Sequence, residues 1–221
     1  AEALSDFFAQ NFAGKWQVYA VRDEEYYRTM ILEQQSERGG VRLLKDEGRI
    51  VGMFAYASED ETEIREPLIL PGYEAEVERA VCELKCSDGR PVKAYGYEGG
   101  THRTERPLIM ARILYLPALL GALKVPEESS VDCSFAVIDP LIRQNSRVWR
   151  VRSASGETCL NVSETEDSEG VIPAAELTEL LFGVKTAEEI GCSEHVILSE
   201  HLAQELEKIE KLSSVFINEV V

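Results

Sequence analysis

The most reactive side chains of this sequence belong to five cysteines and three histidines. Cys82 and Cys86 lie on a predicted helix and can share one of its faces, but no second pair of ligands follows at the spacing of a zinc site. Cys159 could act as a thiol nucleophile only if His195 or His201 met it in the folded chain. The odd number and wide spacing of the cysteines argue against a disulfide framework. We therefore expect neither a metal site nor a cysteine nucleophile.

Net charge limits the partners of the chain. Its 23 basic and 40 acidic residues give a formal net charge of -17. Such a surface repels nucleic acid and anionic membranes and attracts cationic ligands such as amines. It can also serve simply to keep a cytoplasmic protein dissolved, and this alternative stays open. No apolar stretch reaches the roughly 20 residues that span a bilayer, and Glu2 and Asp6 argue against a signal peptide. We expect a cytoplasmic protein that binds neither nucleic acid nor membranes.

The elements that position these groups differ between the two halves of the chain. The first half runs strand, helix, three strands, helix, strand, an order that predicts a mixed α/β sheet. Residues 50–57 are apolar almost throughout, which is typical of a strand covered on both faces. The strands are predicted at 16–21, 41–44, 50–57, 62–70 and 91–97, a short helix at 1–14, and two longer helices around 26–31 and 73–84.

The second half has strands followed by helices, which predicts an α+β domain with an antiparallel sheet packed against helices. Its strands are predicted at 108–116, 131–137, 147–152 and 158–162. A short helix is predicted at 117–123, and three more helices complete the chain. Pro173 stands in the first turn of one of them, where a missing N–H does no harm. Residues 186–189 have the pattern of a capping box at the start of the next.

Several short segments together carry the pattern of one protein family. They are AG at 13–14, VRDEEYY at 21–27, ERPLIMARI at 105–113, Asp139 with Asn145, IPAAEL at 172–177, LFG at 181–183 and FINEVV at 216–221. In this order and spacing they resemble Eis-type (enhanced intracellular survival) N-acetyltransferases, which are GNAT (Gcn5-related) proteins. Each motif is weak alone, and the set covers essentially the whole chain.

The resemblance implies a domain arrangement and a cofactor. Residues 1–104 are expected to form a second, GNAT-like domain without cofactor, and residues 105–221 a sterol-carrier-like domain. The family has a further N-terminal GNAT domain that binds acetyl-CoA, and this chain would lack it. The chain begins without methionine, which fits a truncated piece of a longer protein and equally fits processing or removal of a tag. We expect acetyl-CoA to bind the intact protein and no cofactor to bind this fragment.

The phosphate-binding loop of GNAT enzymes has no clear counterpart here. In the family, an arginine or glutamine precedes x-x-Gly-x-Gly/Ala at the start of a helix, whose N–H groups bind the pyrophosphate. The nearest match has Arg49 and Gly52, but Phe54 stands where a small residue is needed, and the run is a predicted strand. The glycine pairs at 39–40 and 99–100 lack the arginine or glutamine and are predicted turns.

The chain end is the candidate site that the resemblance implies. In the family, the terminal α-carboxylate is thought to act as the general base that deprotonates the substrate amine. Here this group is the carboxylate of Val221, with Glu219 as a second anionic contact. A frayed or simply docked terminus is the alternative, and the apolar residues of 215–221 favour docking. Tyr115 stands where Eis-type proteins often have an acidic residue, and it is predicted either to contact the substrate or to be a buried structural tyrosine.

Three functions stay open at this point. The first is an amine N-acetyltransferase in which this chain completes an acidic pocket for an aminoglycoside, a polyamine or a protein lysine. The second is a lipid- or sterol-binding module, which predicts a continuous apolar tunnel between the strands of 131–162 and the helices of 173–212. The third is a structural module for homo-oligomer assembly, which predicts large apolar surfaces paired across a symmetry axis. We expect the intact protein to be a homo-oligomer.

Overall fold

The chain folds into two compact units, a mixed α/β unit and an α+β unit, and this confirms the predicted fold class. The computed structural model describes residues 1–89, 91–96, 102, 104 and 110–217. The first unit contains residues 1–109 together with residues 214–221, and the second contains residues 110–213. The domain boundaries at 1–104 and 105–221 stay a prediction. The compact units differ from them because the end of the chain joins the first unit.

The first unit is built around a four-stranded sheet. Its elements are α1 (Glu2–Asn11), β1 (Val18–Tyr19), α2 (Glu24–Ser36), β2 (Gly40–Asp46), β3 (Arg49–Ser58), β4 (Thr62–Ile69), α3 (Glu74–Asp88), β5 (Val92–Ala94) and β11 (Val215–Phe216). The sheet order is β2-β3-β4-β5, and neighbours are antiparallel except β4 and β5, which are parallel and joined through α3. A separate two-stranded sheet pairs β1 with β11 in parallel.

Both faces of the four-stranded sheet are covered, which explains the apolar run of β3. Met53 and Ala55 belong to the cluster formed with α1 and α2, whereas Phe54 packs with residues of α3. Alternate residues of a strand point to opposite faces, so covering both faces buries every residue from 51 to 55. The strand predicted at 50–57 is therefore confirmed in its position and in its environment.

The second unit places helices against a five-stranded sheet. Its elements are α4 (Leu116–Ala122), β6 (Val131–Ile138), β7 (Val148–Ser153), β8 (Asn161–Glu164), β9 (Gly170–Pro173), α5 (Ala174–Leu181), α6 (Ala187–Gly191), β10 (Ile197–Leu198) and α7 (Glu200–Glu207). The sheet order is β10-β9-β6-β7-β8, antiparallel except for the parallel pair β6 and β9. Cys133 and Phe135 of β6 are buried in one cluster with Leu177 of α5 and Leu202 of α7.

Several helices begin at the capping signals that the sequence carries. The Asp23 side chain accepts from the Tyr26 N–H (2.9 Å) at the start of α2. Thr186 and Glu189 form the predicted capping box of α6. Pro173 directly precedes α5, where its missing N–H is harmless. Among the helices that the structure describes, none is long and apolar enough to cross a membrane.

The strand predicted at 108–116 is wrong where the structure describes it. Residues 110–115 have no regular structure, and Leu116 begins α4. Side chains hold this segment instead. The Asn145 amide accepts from the Leu116 N–H (2.9 Å) and donates to the Ile113 carbonyl (3.0 Å). The apolar composition of this segment predicted a strand. The prediction failed because composition does not reveal that a distant asparagine satisfies the backbone here.

The strands β1, β5 and β8 are shorter than their patterns predicted, whereas the edge strand β2 is longer than the predicted 41–44. β1 covers only two residues of the predicted 16–21, and β5 only three of the predicted 91–97. β8 begins three residues later than the predicted strand at 158–162. The sequence analysis missed β9 and β10, which have four and two residues. Strands of two to four residues have few alternating positions, so hydrophobic alternation defines them poorly.

Candidate functional site

The terminal segment, defined here as residues 214–217, is held in the first unit by main-chain pairing. Its strand β11 runs parallel to β1, with Phe216 opposite Tyr19. The Gln17 N–H donates to the Ser214 carbonyl (2.8 Å), and the Gln17 side chain accepts from the Ser214 N–H (2.9 Å). The chain is therefore anchored to the first unit close to its own end.

Phe216 is the aromatic anchor of the terminal segment. Its ring stacks on Trp16, with centroids 4.2 Å apart and 14° between the ring planes. Trp16 in turn stacks on Phe8 of α1 (6.2 Å) and on Phe12 (6.1 Å). Such aromatic pairs contribute about 0.5–1.5 kcal/mol each beyond the area they bury. The stack connects the terminal segment to the core of the first unit.

Arg22 contacts the same phenylalanine ring. Its guanidinium carbon lies 4.6 Å from the Phe216 centroid and 5.1 Å from the centroids of Phe8 and Tyr26. A guanidinium over an aromatic face is attracted by the ring quadrupole, most strongly where water is excluded. The Arg22 side chain is 0% exposed. One buried cation thus contacts rings from α1, α2 and β11.

Glu66 of β4 balances the charge of Arg22. Arg22 Nε donates to Glu66 Oε1 (2.8 Å) and Arg22 Nη2 donates to Oε2 (3.1 Å), which makes a bidentate pair. The phenols of Tyr26 and Tyr27 donate to the same carboxylate (3.2 and 3.3 Å). The Glu66 side chain is 2% exposed. A buried ion pair persists only where hydrogen bonds also satisfy its remaining oxygens and N–H groups, and these donors meet that condition.

The surroundings keep the Tyr27 phenol in its donating form. Burial, followed by the neighbouring Glu66 carboxylate, raises the pKa of Tyr27, so its phenol stays protonated and donates its hydrogen. Arg22 Nη1 donates to the Ala20 carbonyl (2.9 Å). The plane of the guanidinium is therefore set by in-plane hydrogen bonds on more than one edge, while its faces are left for aromatic rings.

A β-bulge directs Glu66 towards this site. Glu66 has a φ of 48°, in the left-handed region, and the β3–β4 register shifts between Met53 and Ala55. In a regular strand Ile64 and Leu68 would face the same side. Instead Ile64 packs with α3 and Leu68 packs with α1 and α2. Non-glycine residues held in this region cost about 1–3 kcal/mol and cluster at functional sites, and bulges often re-aim a side chain next to such sites.

Of the predicted site residues, Tyr115 is the one that the described ranges include. Val221 and Glu219 lie outside them, so their roles stay predictions. Tyr115 directly precedes α4 and is 61% exposed. The alternative of a buried structural tyrosine is therefore wrong. A contact between this exposed phenol and a cationic substrate stays a prediction.

A second polar cluster holds the segment before α4 in the second unit. The Asp139 carboxylate, which is 0% exposed, pairs with Arg112 and accepts from Leu141 N–H (3.0 Å), Ile142 N–H (2.9 Å) and the Asn145 amide (3.1 Å). Burial alone would raise the pKa of Asp139, but these donors outweigh it and lower the pKa. Two of these four partners are backbone N–H groups and two are side chains, and all four belong to the same unit, so the cluster fixes the local path of the chain.

The reactive cysteine and histidine have separate partners. The exposed Cys159 accepts from Lys124 Nζ (3.0 Å), and this ammonium lowers the pKa of the thiol. His201 pairs with Glu169 (2.5 Å), whose hydrogen bond raises the pKa of the imidazole. Within the described ranges, no three or more His, Cys, Asp or Glu side chains are grouped so that they could hold a metal ion. This geometry does not pair the thiol with an imidazole base.

The first turn of α3 is acidic, which matters for phosphate binding. A helix N-terminus that follows a strand is a natural anion site because its free N–H groups point outward. In α3 this turn carries Glu74 and Glu76, and no side chain caps it. Two carboxylates would repel a diphosphate at this position. The nearest sequence match to a phosphate loop, residues 49–54, lies inside β3.

The chain has the general N-acetyltransferase fold of the GCN5-related class. Similar solved structures include a probable N-acyltransferase from Enterococcus faecalis V583, with 16% identity, a TM-score of 0.73 and coverage of 100% of this chain and 59% of that one. A GCN5-related N-acetyltransferase from Anabaena variabilis ATCC 29413 has 14% identity, a TM-score of 0.64 and coverage of 99% and 59%. Eis1 from Mycobacterium abscessus has 15% identity, a TM-score of 0.56 and coverage of 100% and 60%. At these identities the likeness shows the fold alone.

Residues 116–220, just under half of the chain, match the sterol carrier protein domain family. No protein of curated function is significantly similar in sequence. The chain spans about 60% of the length of these similar structures. The resemblance is therefore confirmed for the two fold types, a GNAT-like fold and a sterol-carrier-like domain.

Sequence reasoning did not single out Arg22 or Glu66, which form the centre of this site. Arg22 was used only as part of the family pattern at 21–27. One signal for the bulge was present, because Glu66 and Pro67 place a charge and a proline inside a predicted strand, and proline in strands marks an edge or a bulge. The pairing itself required the fold, since 44 positions separate the two residues.

Proposed function

We propose that this chain is the C-terminal part of an Eis-type amine N-acetyltransferase. A preceding GNAT domain, outside this sequence, binds acetyl-CoA in this proposal. The Val221 carboxylate serves as the general base, with Glu219 as a second anionic contact. The observation that carries the proposal is the anchoring of the terminal segment by β1 and by the ring of Phe216. That anchor gives the last four residues a defined starting point.

The reach of the chain end limits where the carboxylate can act. An extended chain spans at most about 3.6 Å per residue, so the four residues after Ile217 reach roughly 14 Å. The carboxylate would therefore work in a pocket whose distance from Ile217 does not exceed that length. A short, anchored tether also raises the effective concentration of the base at the reacting amine.

The chemistry requires such a base. An ammonium is not a nucleophile, so acetyl transfer needs a group that takes its proton. The amine then attacks the acetyl carbonyl, the C–S bond breaks, and coenzyme A leaves as its thiol or thiolate. An α-carboxylate has an intrinsic pKa of about 3.5, and shielding from water makes it a stronger base. The net charge of -17 attracts cationic amines such as aminoglycosides, polyamines or protein lysines.

Two observations support the proposal that acetyl-CoA binds only the intact protein. Glu74 and Glu76 occupy the helix turn that would otherwise attract phosphates. The chain also spans about 60% of the length of the GCN5-related structures that it resembles. An acetyl-CoA titration of this chain by isothermal calorimetry is expected to give no heat of binding, and the intact protein is expected to bind. A micromolar complex with this chain alone would contradict this part of the proposal.

The lipid-binding alternative has less support in the second unit. The buried residues of its sheet and its helices form a single cluster, in which Phe135, Leu177 and Leu202 are each 0% exposed. A tunnel between the strands and the helices would expose these side chains to its lumen. The sterol carrier family match concerns the fold of residues 116–220 and does not specify a bound lipid. The homo-oligomer and the cytoplasmic location stay predictions.

The general-base role is tested in the intact protein by moving the carboxylate. One glycine added after Val221 displaces the carboxylate by about 3.6 Å, and kcat is expected to fall by about 10²–10⁴, the usual contribution of a general base. Val221→Ala is the matched control because it keeps the carboxylate at its position, and its kcat should stay within about threefold. Unchanged turnover after the glycine addition would eliminate the carboxylate as the base.

A further inference from the structure

The strand pairing of the terminal segment is too small to hold it alone. β11 and β1 share two residue pairs, and isolated two-stranded pairings are marginal in water even when longer. Val215 keeps 38% of its surface exposed, and the Ser214 hydroxyl adds one hydrogen bond to the Lys15 carbonyl (3.2 Å). The ring contacts of the segment come from Phe216, which packs against Trp16 and Arg22, so we expect the loss of this ring to weaken the segment's hold most.

Arg22 differs from an ordinary aromatic neighbour because hydrogen bonds to groups outside the terminal segment help to hold its orientation. Nε and Nη2 bind Glu66, and Nη1 binds the Ala20 carbonyl. These bonds lie in the guanidinium plane, so they orient the face that contacts Phe216. The Phe216 centroid lies 4.6 Å from the guanidinium carbon, closer than either of the other rings that contact it.

We infer that Arg22 is a positioning residue for the chain terminus. It holds the terminal segment through the ring of Phe216, and Glu66 holds the guanidinium in the orientation that this contact needs. The catalytic consequence rests on the proposed function, because it assumes that the Val221 carboxylate is the base. Seating, by which we mean that the terminal segment stays bound to the first unit, does not depend on that assumption and is measured separately.

The geometry also explains why a bulge is kept at Glu66. Without the register shift between Met53 and Ala55, residue 66 would face α3. With it, the carboxylate reaches Arg22 on the face formed by α1 and α2. The unfavourable φ of 48° at this residue is thus linked to the ion pair and, through the guanidinium, to the position of Phe216.

Seating is tested on this chain by carboxypeptidase digestion followed by mass spectrometry. In the unchanged chain, digestion is expected to slow strongly once it reaches residues 216–217, because the seated segment is protected. Arg22→Lys keeps the charge but loses the planar fork, and trimming past Phe216 should become at least about tenfold faster. Lys15→Met is the matched control, since it removes a cation–π contact with Phe12 in the same unit and should leave the trimming pattern unchanged.

A second variant keeps the test decisive if Arg22→Lys folds poorly. Phe216→Leu leaves Arg22, Glu66 and the rest of the core in place, so circular dichroism should show an intact fold while trimming becomes faster to a similar extent. The double variant should be trimmed no faster than either single variant if both act through one contact. A trimming rate in Phe216→Leu or in folded Arg22→Lys that equals the unchanged chain would overturn the inference.

The catalytic consequence is measured in the intact protein with the same variants. Arg22→Lys and Phe216→Leu should lower kcat for amine acetylation by at least about tenfold, while KM for acetyl-CoA stays within about twofold. A purely structural defect would not separate these two constants in this way. If trimming shows the segment released and acetylation is unchanged, the seating role of Arg22 stands and the general-base proposal is overturned.

Discussion

Each unit of this protein contains an arginine paired with a buried carboxylate, and the two pairs differ in how the carboxylate is satisfied. In the first unit both partners are buried, with Arg22 0% and Glu66 2% exposed. In the second unit Asp139 is 0% exposed, whereas Arg112 is 41% exposed. An arginine and a carboxylate therefore meet under different degrees of solvent exposure in the two units.

The difference shows which partner each pair depends on. The described hydrogen bonds to Glu66 come from the side chains of Arg22, Tyr26 and Tyr27, and of these three Arg22 is charged. Asp139 is bound mainly by backbone N–H groups and by Asn145, so its charge is stabilised even without Arg112. We expect the first unit to lose stability when either charge of its pair is removed. The second unit should lose stability only when its carboxylate is removed.

The largest effect is expected for Glu66→Gln in the first unit. The amide keeps the shape of the side chain but removes the negative charge that Glu66 places against the buried Arg22 cation. Such a loss costs about 3–5 kcal/mol of unfolding free energy. Urea unfolding followed through Trp16, in a Trp149→Phe background so that one tryptophan reports, measures it.

The matched control for this change is Glu63→Gln on the same strand. Glu63 is partly exposed and pairs with Arg65, so the same substitution there should cost less than about 1 kcal/mol. If Glu66→Gln also cost less than about 1 kcal/mol, the buried Arg22–Glu66 pair would stabilise the fold no more than a partly exposed pair does.

An intermediate effect is expected for Asp139→Asn in the second unit. Leu141 N–H and Ile142 N–H both donate to Oδ1, so an amide that keeps its oxygen there places its N–H donors against the Asn145 amide donor. Such a clash of donors costs about 1–3 kcal/mol. Unfolding followed through Trp149, in a Trp16→Phe background, measures it. An unchanged midpoint would show that this cluster does not hold the segment before α4.

The same variant has a pH signature with a defined sign. The folded-state pKa of Asp139 lies below its ordinary value, so its ionised form stabilises the fold above about pH 4, the unfolded value, and this stability is lost as pH falls through the folded value. The difference in unfolding free energy between the wild type and Asp139→Asn should therefore narrow from pH 6 towards pH 3. A constant difference would contradict the role of the charge.

The smallest effect is expected for Arg112→Gln. Its side chain is 41% exposed, and partly exposed ion pairs contribute about 0–1 kcal/mol. Unfolding of the second unit should shift by less than about 1 kcal/mol, with little further change at high salt. A loss as large as that of Asp139→Asn would remove the distinction between the two pairs.

Local patterns predicted much of the fold because the forces behind them act between near neighbours. The apolar run at 50–57 predicted a strand covered on both faces, and the Thr186–Glu189 pattern predicted a helix start, as the structure confirms. The strand predicted at 108–116 failed because Asn145, far along the chain, satisfies the backbone there. Tyr115 could not be assigned to the surface or the core from its neighbours alone.

The sequence by itself determined that the chain is acidic, that an aromatic residue lies near its end, and that a helix lies around residues 26–31. Only the tertiary structure decided that Phe216, Arg22 and Glu66 meet, because they come from three segments that are distant along the chain. It also decided on which face of the sheet Glu66 lies, since a one-residue bulge reverses the alternation of β4. A change of register is a property of two paired strands, and hydrophobic periodicity within one strand does not encode it.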